Sequence, residues 1–314
     1  MTIGILVAFT ALQTNLFRPL SGLLDVGVSI TSSMALFSRV FEYLDLTVDI
    51  DDPHEPVDLH PVHIDGKVRF DHVRFAYPGS DREAVSDVDV VVPAGSSLAL
   101  VGESGSGKTT LASLVARLHD PSGGRILIDG VDIRDVLLTD LAKIVGVVSQ
   151  ETYLLHTTIR ENLRYAKPEA TDEEIVAAAR AAQVHELIMS LPAGYDTVVG
   201  ARGHRFSGGE KQRMAIARTL LRDPRVLVLD EATSALDNET ERAVQTALDA
   251  VSRGRTTITI AHRLTTIRDA DQILVLDHGT AVEIGTHAEL MSAGGRYARL
   301  ANATGTDVFS VQAA

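Results

Sequence analysis

One segment of the sequence has the glycine, lysine and threonine spacing of a phosphate-binding loop. It reads Gly102-Glu-Ser-Gly-Ser-Gly-Lys108-Thr109 and fits the pattern G-x-x-x-x-G-K-[ST]. The segment follows the apolar run Leu98 to Val101 and precedes a helical run, which is the context such a loop requires. Its glycines let backbone N–H groups turn toward phosphate oxygens, and the helix start adds its positive end. We therefore predict a nucleotide site, with Lys108 at the β- and γ-phosphates and Thr109 on Mg²⁺.

The predicted nucleotide-binding residues of this loop are consecutive. They are Gly102, Glu103, Ser104, Gly105, Ser106, Gly107, Lys108, Thr109 and Thr110.

Two adjacent carboxylates end a second apolar run. The run reads Val226-Leu-Val-Leu-Asp230-Glu231, and ligands of α/β sheets gather at such strand ends. Asp230 is suited to the Mg²⁺ shell. Glu231 points the other way along an extended chain and is suited to take a proton from an attacking water, which is worth about 10²- to 10⁴-fold in rate. Taken alone, the pair would be read as helix-capping acids; the phosphate loop favours the metal interpretation.

A third segment reads Phe206-Ser207-Gly208-Gly209-Glu210. Ser207 and Glu210 have the spacing of a capping box, which predicts a helix from here to about Arg222. A capped helix start with two glycines is also an anion site, so both interpretations hold together. The segment resembles the signature of ATP-binding cassette (ABC) proteins, usually LSGGQ.

The resemblance gives four further positions a role in an ATP site. Tyr77 is similar to the aromatic residue that stacks on adenine, and Gln150 to the glutamine that senses Mg²⁺ and the membrane partner. Asp237, in Ser234-Ala-Leu-Asp237, resembles the residue that contacts the opposite subunit. His262 resembles the histidine that touches the γ-phosphate. Without the resemblance, Tyr77 would be a core residue, Gln150 a solvated turn residue and His262 a structural histidine.

The resemblance also sorts these residues by role. It implies catalysis by Lys108, Gln150, Glu231 and His262, and Mg²⁺ binding by Thr109, Gln150 and Asp230. It implies further contacts to ATP from Tyr77, Ser207, Gly208, Gly209 and Asp237.

The elements that must position these residues are alternating strands and helices. Short apolar runs predict buried parallel strands at Leu98 to Val101, Ile144 to Val148, Val226 to Leu229, Thr256 to Ile260 and Ile273 to Leu276. Helical segments fall between them, such as Thr171 to Ala182, which opens with a capping pair. Val68, Phe70, Val73 and Phe75 indicate an early strand pair. The fold class is α/β: an ABC-type P-loop fold with a mostly parallel core, a front antiparallel β portion and a helical signature subdomain.

The first residues form a separate region. Apolar positions from Leu16 to Leu44 repeat at steps of three and four, and the stripe extends back to Phe9 and Leu6. They predict one long helix of about 40 residues, about 60 Å long, which Pro19 should kink or break. The segments Leu6-Val-Ala-Phe9 and Ser38 to Leu44 resemble the end of the last transmembrane helix of an ABC exporter half. Such halves carry six helices, so we expect the carboxy-terminal part of a longer subunit. The predicted regions are a helix remnant at 1–47, an acidic and proline-rich linker at 48–66 and a nucleotide-binding domain at 67–314.

Composition excludes several other classes of protein. The net charge of −13 and the scattered basic residues argue against a nucleic-acid partner. The chain has no cysteine, which excludes disulfides and thiolate metal sites.

Two positions depart from the family pattern. Glu210 replaces the usual glutamine at the end of the signature, where added negative charge could alter nucleotide affinity. Ala201 stands where exporters usually place a glutamate, which could weaken coupling to the membrane domain.

The resemblance implies an ATPase that powers export of an unidentified substrate. The expected cofactors are ATP and Mg²⁺. The expected partners are a second nucleotide-binding domain, identical or different, and transmembrane helices in the cell membrane, with the ATPase on the cytosolic face. Two alternatives stay open: a truncated module that binds ATP without transport, and a soluble ABC ATPase, which would need coiled-coil insertions or tandem cassettes.

Overall fold

The fold is taken from a computed structural model of the chain. It describes residues 3–46, 48–59, 64–149, 152–200, 206–230, 238–261 and 264–303. These residues separate into two compact units, Met1–Asp49 and Ile50–Ala314.

The first unit is dominated by one helix, α1 (Ile3–Leu44), of 42 residues. The helix continues through Pro19 without interruption, so the predicted long helix is confirmed and a break at this proline is not observed. Large apolar side chains along it are exposed, including Phe9, Phe37 and Phe41. Within the described residues, only Ile3–Leu20 has the length and apolar composition of a membrane span, with a mean hydropathy of 1.3.

The described part of the second unit contains ten strands and ten α-helices, besides two short 3-10 helices. The strands are β1 (Val68–Ala76), β2 (Glu83–Val92), β3 (Ser97–Val101), β4 (Gly123–Ile128), β5 (Val131–Asp132), β6 (Val145–Val148), β7 (Val226–Asp230), β8 (Thr256–Ile260), β9 (Gln272–Asp277) and β10 (Thr280–Gly285). The helices are α2 (Lys108–Val115), α3 (Leu138–Ile144), α4 (Ile159–Arg164), α5 (Asp172–Ala181), α6 (His185–Ser190), α7 (Gly208–Arg222), α8 (Asn238–Ser252), α9 (Leu264–Arg268), α10 (His287–Ala293) and α11 (Arg296–Ala303).

A four-stranded antiparallel sheet forms the front of this unit, in the order β2-β1-β4-β5. The predicted strand residues Val68, Phe70, Val73 and Phe75 all lie on β1 and are buried. In a regular strand, residues three apart such as Phe70 and Val73 point to opposite faces, so only one of them would be buried. A shift in register between them, with His72 at a φ of 52°, turns both side chains toward the core.

The second sheet has six strands in the order β10-β9-β3-β8-β7-β6. All its neighbours pair in parallel except β10, which is antiparallel to β9 at one edge. The five predicted parallel strands are confirmed within one or two residues. Ile144 is the exception, because it ends α3 and β6 begins at Val145. β7 and β8 are buried along nearly their whole length, as expected for strands covered on both faces.

The predicted linker is closely attached to the second unit over part of its length. Leu59 and Ile64 are buried in the same core as β1 and β3. The Arg117 guanidinium donates to the Asp51 carbonyl at 2.9 Å. Residues from Ile50 onward therefore belong to the compact unit, and the boundaries at 47 and 66 stay predictions.

Candidate functional site

The loop 102–107 joins β3 to α2 at one edge of the six-stranded sheet. Leu100 of β3 pairs with Ile260 of β8, and Ile260 pairs with Asp230 of β7. Val148 of β6 is level with Leu229 of β7. The carboxyl ends of four parallel strands thus lie at the same edge, where α/β sheets bind their ligands.

Glycine is required at two positions of this loop because the backbone is both left-handed and crowded. Gly107 has a φ of 101° and Gly102 a φ of 154°. A Cβ on Gly107 would overlap the carbonyl oxygen of Ala84, and one on Gly102 would overlap that of Leu276. The loop is therefore held against β2 and β9. Gly279, in the turn after β9, adds a hydrogen bond from its N–H to the Ser106 carbonyl at 3.0 Å.

Lys108 folds back over the loop that precedes it. Its Nζ donates to the carbonyl oxygens of Gly102 at 2.7 Å and Glu103 at 2.8 Å. Burial lowers the pKa of the Lys108 ammonium, and the carboxylates of Asp230 and Glu103 oppose that shift. A partly desolvated cation beside backbone carbonyls is prepared to interact strongly with an incoming anion.

A cleft of about 250 Å³ opens in front of the loop. Its lining residues are Tyr77, Ala84, Gly105, Ser106, Gly107, Lys108, Thr109 and Thr110. The structure thus brings the predicted adenine-stacking residue and most of the predicted loop residues into one cavity.

Tyr77 is fixed in the cleft by two kinds of contact. Its hydroxyl lies 3.1 Å from the Thr110 hydroxyl, and its ring meets Phe75 edge-on with 4.9 Å between the centroids. The side chain nevertheless keeps 42% of its surface exposed. An aromatic ring oriented in this way can offer apolar surface to a flat ligand.

The residues predicted to hold Mg²⁺ have suitable chemistry. Thr109 supplies a hydroxyl in the cleft, and Asp230 supplies a carboxylate at the end of β7, close enough to influence the Lys108 ammonium. Oxygen donors of this kind are what Mg²⁺ prefers, with phosphate oxygens and water completing its shell. Among the described side chains, no cluster of three or more His, Asp or Glu residues forms a separate metal site.

The signature segment forms the start of α7 and does not line this cleft. The Ser207 hydroxyl accepts a hydrogen bond from the Glu210 N–H at 3.3 Å, and the Glu210 carboxylate accepts from the Ser207 N–H at 2.7 Å. The predicted capping box is therefore confirmed, as is the predicted helix to Arg222.

Five positions singled out in the sequence, Gln150, Ala201, Glu231, Asp237 and His262, lie outside the described residues. Three of them follow strands or strand ends at the edge described above: Gln150 after Ser149, Glu231 after β7 and His262 after Ala261.

A second, larger cleft of about 480 Å³ lies between α3, β6 and α7. Ser149, which directly precedes Gln150, is among its lining residues, together with Tyr153 and Arg218. Arg218 donates to the carbonyl oxygens of Tyr153 and Asn162, each at 2.8 Å. This half-buried guanidinium links α7 to the segment after β6.

Sequence reasoning missed the residues that support the loop from behind. Ala84, Leu276 and Gly279 contact it from 18 or more positions away in the chain, and none of them belongs to a nucleotide-binding motif. Arg296 reaches Glu103 from α11. The only signal was the His-Gly pair after β9, which is typical of a tight turn.

Comparison with known proteins identifies the family. Residues 85–234 match the model of the ABC transporter domain. Over 300 residues the chain is 46% identical to a putative multidrug export ATP-binding/permease protein of Bacillus subtilis, covering 96% of this chain and 51% of that protein. An ATP-dependent lipid A-core flippase of Chromohalobacter salexigens gives the same identity and coverage.

A solved structure, of a bacterial Atm1-family ABC exporter with ATP bound, superposes with a TM-score of 0.80 at 43% identity. The match covers 100% of this chain and 54% of that one. The chain therefore spans about half the length of the relatives it matches. Because the family match includes the phosphate loop and the likeness in sequence and fold extends over the whole chain, this protein belongs to the ABC transporter family and carries its ATP-binding domain.

Proposed function

We propose that this chain binds and hydrolyses MgATP as the nucleotide-binding part of an ABC exporter. The observation that carries the proposal is the loop 102–107 with Lys108, placed where the carboxyl ends of β3, β8 and β7 align. The domain boundaries at 1–47, 48–66 and 67–314 are part of the same proposal.

Several described residues in and beside the cleft are assigned a role in ATP binding. Tyr77 stacks on the adenine, while the loop N–H groups and the start of α2 receive the phosphates. Lys108 stabilises the negative charge that grows on the phosphates in the transition state. Thr109 and Asp230 hold Mg²⁺, which when bound neutralises phosphate charge.

Residues outside the described part complete the proposed chemistry. Glu231 accepts a proton from the attacking water. Gln150 contributes to the Mg²⁺ shell, and His262 contacts the γ-phosphate. Their roles rest on the family pattern and on the strands that they follow.

A second copy or a similar domain completes each site. The signature residues Ser207, Gly208 and Gly209 do not line their own chain's cleft, which supports a head-to-tail arrangement in which they contact ATP held by the partner. Asp237 contributes to the same contact. ATP then lies between two domains and favours their association.

The proposed location is the cell membrane, with the ATP-binding domain on the cytosolic side. The exposed apolar surface of α1 and the export proteins among the relatives support it. The cleft lined by Ser149 supports contact with transmembrane helices, because Ser149 directly precedes Gln150 in the chain and the resemblance assigns Gln150 to sensing the membrane partner. The competing proposal is a module that binds ATP without transport; a transport assay with a co-expressed partner subunit separates the two.

The test of the proposed chemistry compares two substitutions in the full chain, purified in detergent. Lys108→Ala should abolish ATP turnover and weaken ATP binding. Glu231→Gln should lower turnover by about 10²- to 10⁴-fold yet leave binding intact, because the amide keeps the shape of the carboxylate but cannot accept the proton. Near-normal turnover in either variant would disprove the corresponding assignment.

The same Glu231→Gln variant tests the composite site. Trapped ATP should drive the chain into a stable dimer, detected by light scattering corrected for detergent. Adding Ser207→Arg, which fills the anion site with a bulky side chain, should return it to monomers. A monomer under saturating MgATP would contradict the head-to-tail arrangement.

A further inference from the structure

Arg296, the first residue of α11, contacts two carboxylates at the nucleotide edge of the sheet. Its Nη1 lies 2.5 Å from Asp277 at the end of β9. Its Nη2 lies 3.3 Å from Glu103, the second residue of the phosphate loop. The guanidinium therefore links a helix late in the chain to a side chain of the loop.

The start of α11 is held firmly in place. The Glu283 carboxylate of β10 accepts hydrogen bonds from the N–H groups of Arg296 at 2.5 Å and Tyr297 at 2.9 Å. The Tyr297 side chain is almost fully buried, and its hydroxyl lies 2.7 Å from His287 Nδ1. The backbone of Arg296 is thus fixed, and its side chain is only 28% exposed.

Glu103 is an unusual neighbour for a polyphosphate. Its side chain is 70% exposed, so little besides Arg296 restrains it. Lys108 Nζ already contacts the Glu103 backbone carbonyl; burial lowers the pKa of that ammonium, and the charges of Asp230 and Glu103 oppose the shift. If the Glu103 carboxylate were released from Arg296, the nearest cation in the loop would be the Lys108 ammonium. The carboxylate would then compete with phosphate for that ammonium.

We propose that Arg296 is a positioning residue of the nucleotide site, which holds the Glu103 carboxylate aside and leaves the Lys108 ammonium available to phosphate. The inference rests on the proposed ATP site. Arg296 itself touches no substrate. Because its effect passes through Glu103, replacing Glu103 should remove that effect.

The experiment measures the dissociation constant of a fluorescent ATP analogue for the full chain in detergent. Arg296→Ala should weaken binding about two- to fivefold at low salt, the range expected for a partly exposed ion pair. Most of that loss should disappear in the double variant Arg296→Ala/Glu103→Gln, because the competing carboxylate is gone. It should also shrink at high salt, which screens exposed charges. Arg296→Lys, which keeps the charge, should restore part of the affinity.

Arg299→Ala is the matched control, because Arg299 lies exposed on the same helix and should leave the affinity unchanged. Unchanged affinity in Arg296→Ala would overturn the inference. So would a loss of the same size in the Glu103→Gln background, since that would show that the effect does not pass through Glu103. If Lys108→Ala also binds the analogue normally, the proposed ATP site fails instead.

Discussion

Helices α2 and α7 both begin in glycine-rich segments, but their first turns are satisfied differently. α2 begins after Gly107, which is left-handed, and no side chain caps its amides. α7 begins after Ser207, where the side chains of Ser207 and Glu210 each accept a hydrogen bond from the other residue's backbone N–H. The first helix start is therefore open to a ligand, whereas the second is closed by its own side chains. At α2 the backbone N–H groups of the first turn are free of side-chain caps and can donate to an anion directly. At α7 an anion would have to share these N–H groups with the capping side chains or displace the side chains.

The two helix starts also differ in their surroundings. The loop before α2 is pressed against Ala84 and Leu276, so its shape depends on distant backbone. The capping box of α7 is local, and the same arrangement recurs at α5 and α10. A change in the α2 loop should therefore weaken ATP binding within one chain, whereas a change in the α7 box should lower the free energy of unfolding about as much as the same change at α5 or α10.

The largest effect is expected for Gly107→Ala. The alanine would need a φ of 101° and would place its Cβ against the Ala84 carbonyl. Strain of this kind costs about 1–3 kcal/mol before the clash is counted, so ATP binding should weaken at least about tenfold. Binding of ATP to the full chain measures it. Gly95→Ala is the control, since Gly95 is left-handed at 72° but has open space around it; equal losses of ATP binding in both variants would refute the argument from crowding.

An intermediate effect is expected for Ser207→Ala. Loss of the cap should lower the free energy of unfolding by about 1 kcal/mol and speed hydrogen exchange in the first turn of α7. ATP binding to a single chain should not change, because Ser207 does not line the cleft. Thr286→Ala removes the equivalent cap from α10 and should destabilise the chain equally. A loss of ATP turnover in Ser207→Ala that Thr286→Ala does not share would support the proposed contact of Ser207 with ATP held by the partner.

The smallest effect is expected for Glu210→Gln. A glutamine oxygen can still accept from the Ser207 N–H, so the capping box survives and stability should change by less than about 1 kcal/mol. Nucleotide affinity should change only modestly. Under the proposed head-to-tail arrangement it should change in the direction of tighter ATP-dependent dimers, because one negative charge is removed from the helix start that would meet phosphate. Glu289→Gln in the α10 box provides the matched comparison. A collapse of turnover would mean that Glu210 does more than cap.

The sequence predicted these two helix starts well because each is encoded by a few neighbouring residues. The parallel strands were equally accessible, since runs such as Thr256 to Ile260 are apolar or β-branched and are bounded by breaks. The order of the strands in the sheet could not be predicted from the sequence. It depends on pairings between residues as far apart as Leu98 and Gln272, which no local pattern specifies. For the same reason, the contacts of Ala84, Gly279 and Arg296 with the loop could not be predicted from the sequence.

The support of the loop by Leu276 and Gly279 has a consequence for synthesis of the chain. Residues 102–107 are made long before β8 and β9, which flank β3 in the finished sheet. On the ribosome the phosphate-binding sequence therefore exists well before its neighbours, and its shape is set only when some 170 further residues have been added. Contacts of such long range form slowly and leave apolar strands exposed meanwhile. Nucleotide can therefore stabilise the domain only once its synthesis is nearly complete. ATP binding stabilises the finished fold and does not assist folding of the nascent chain.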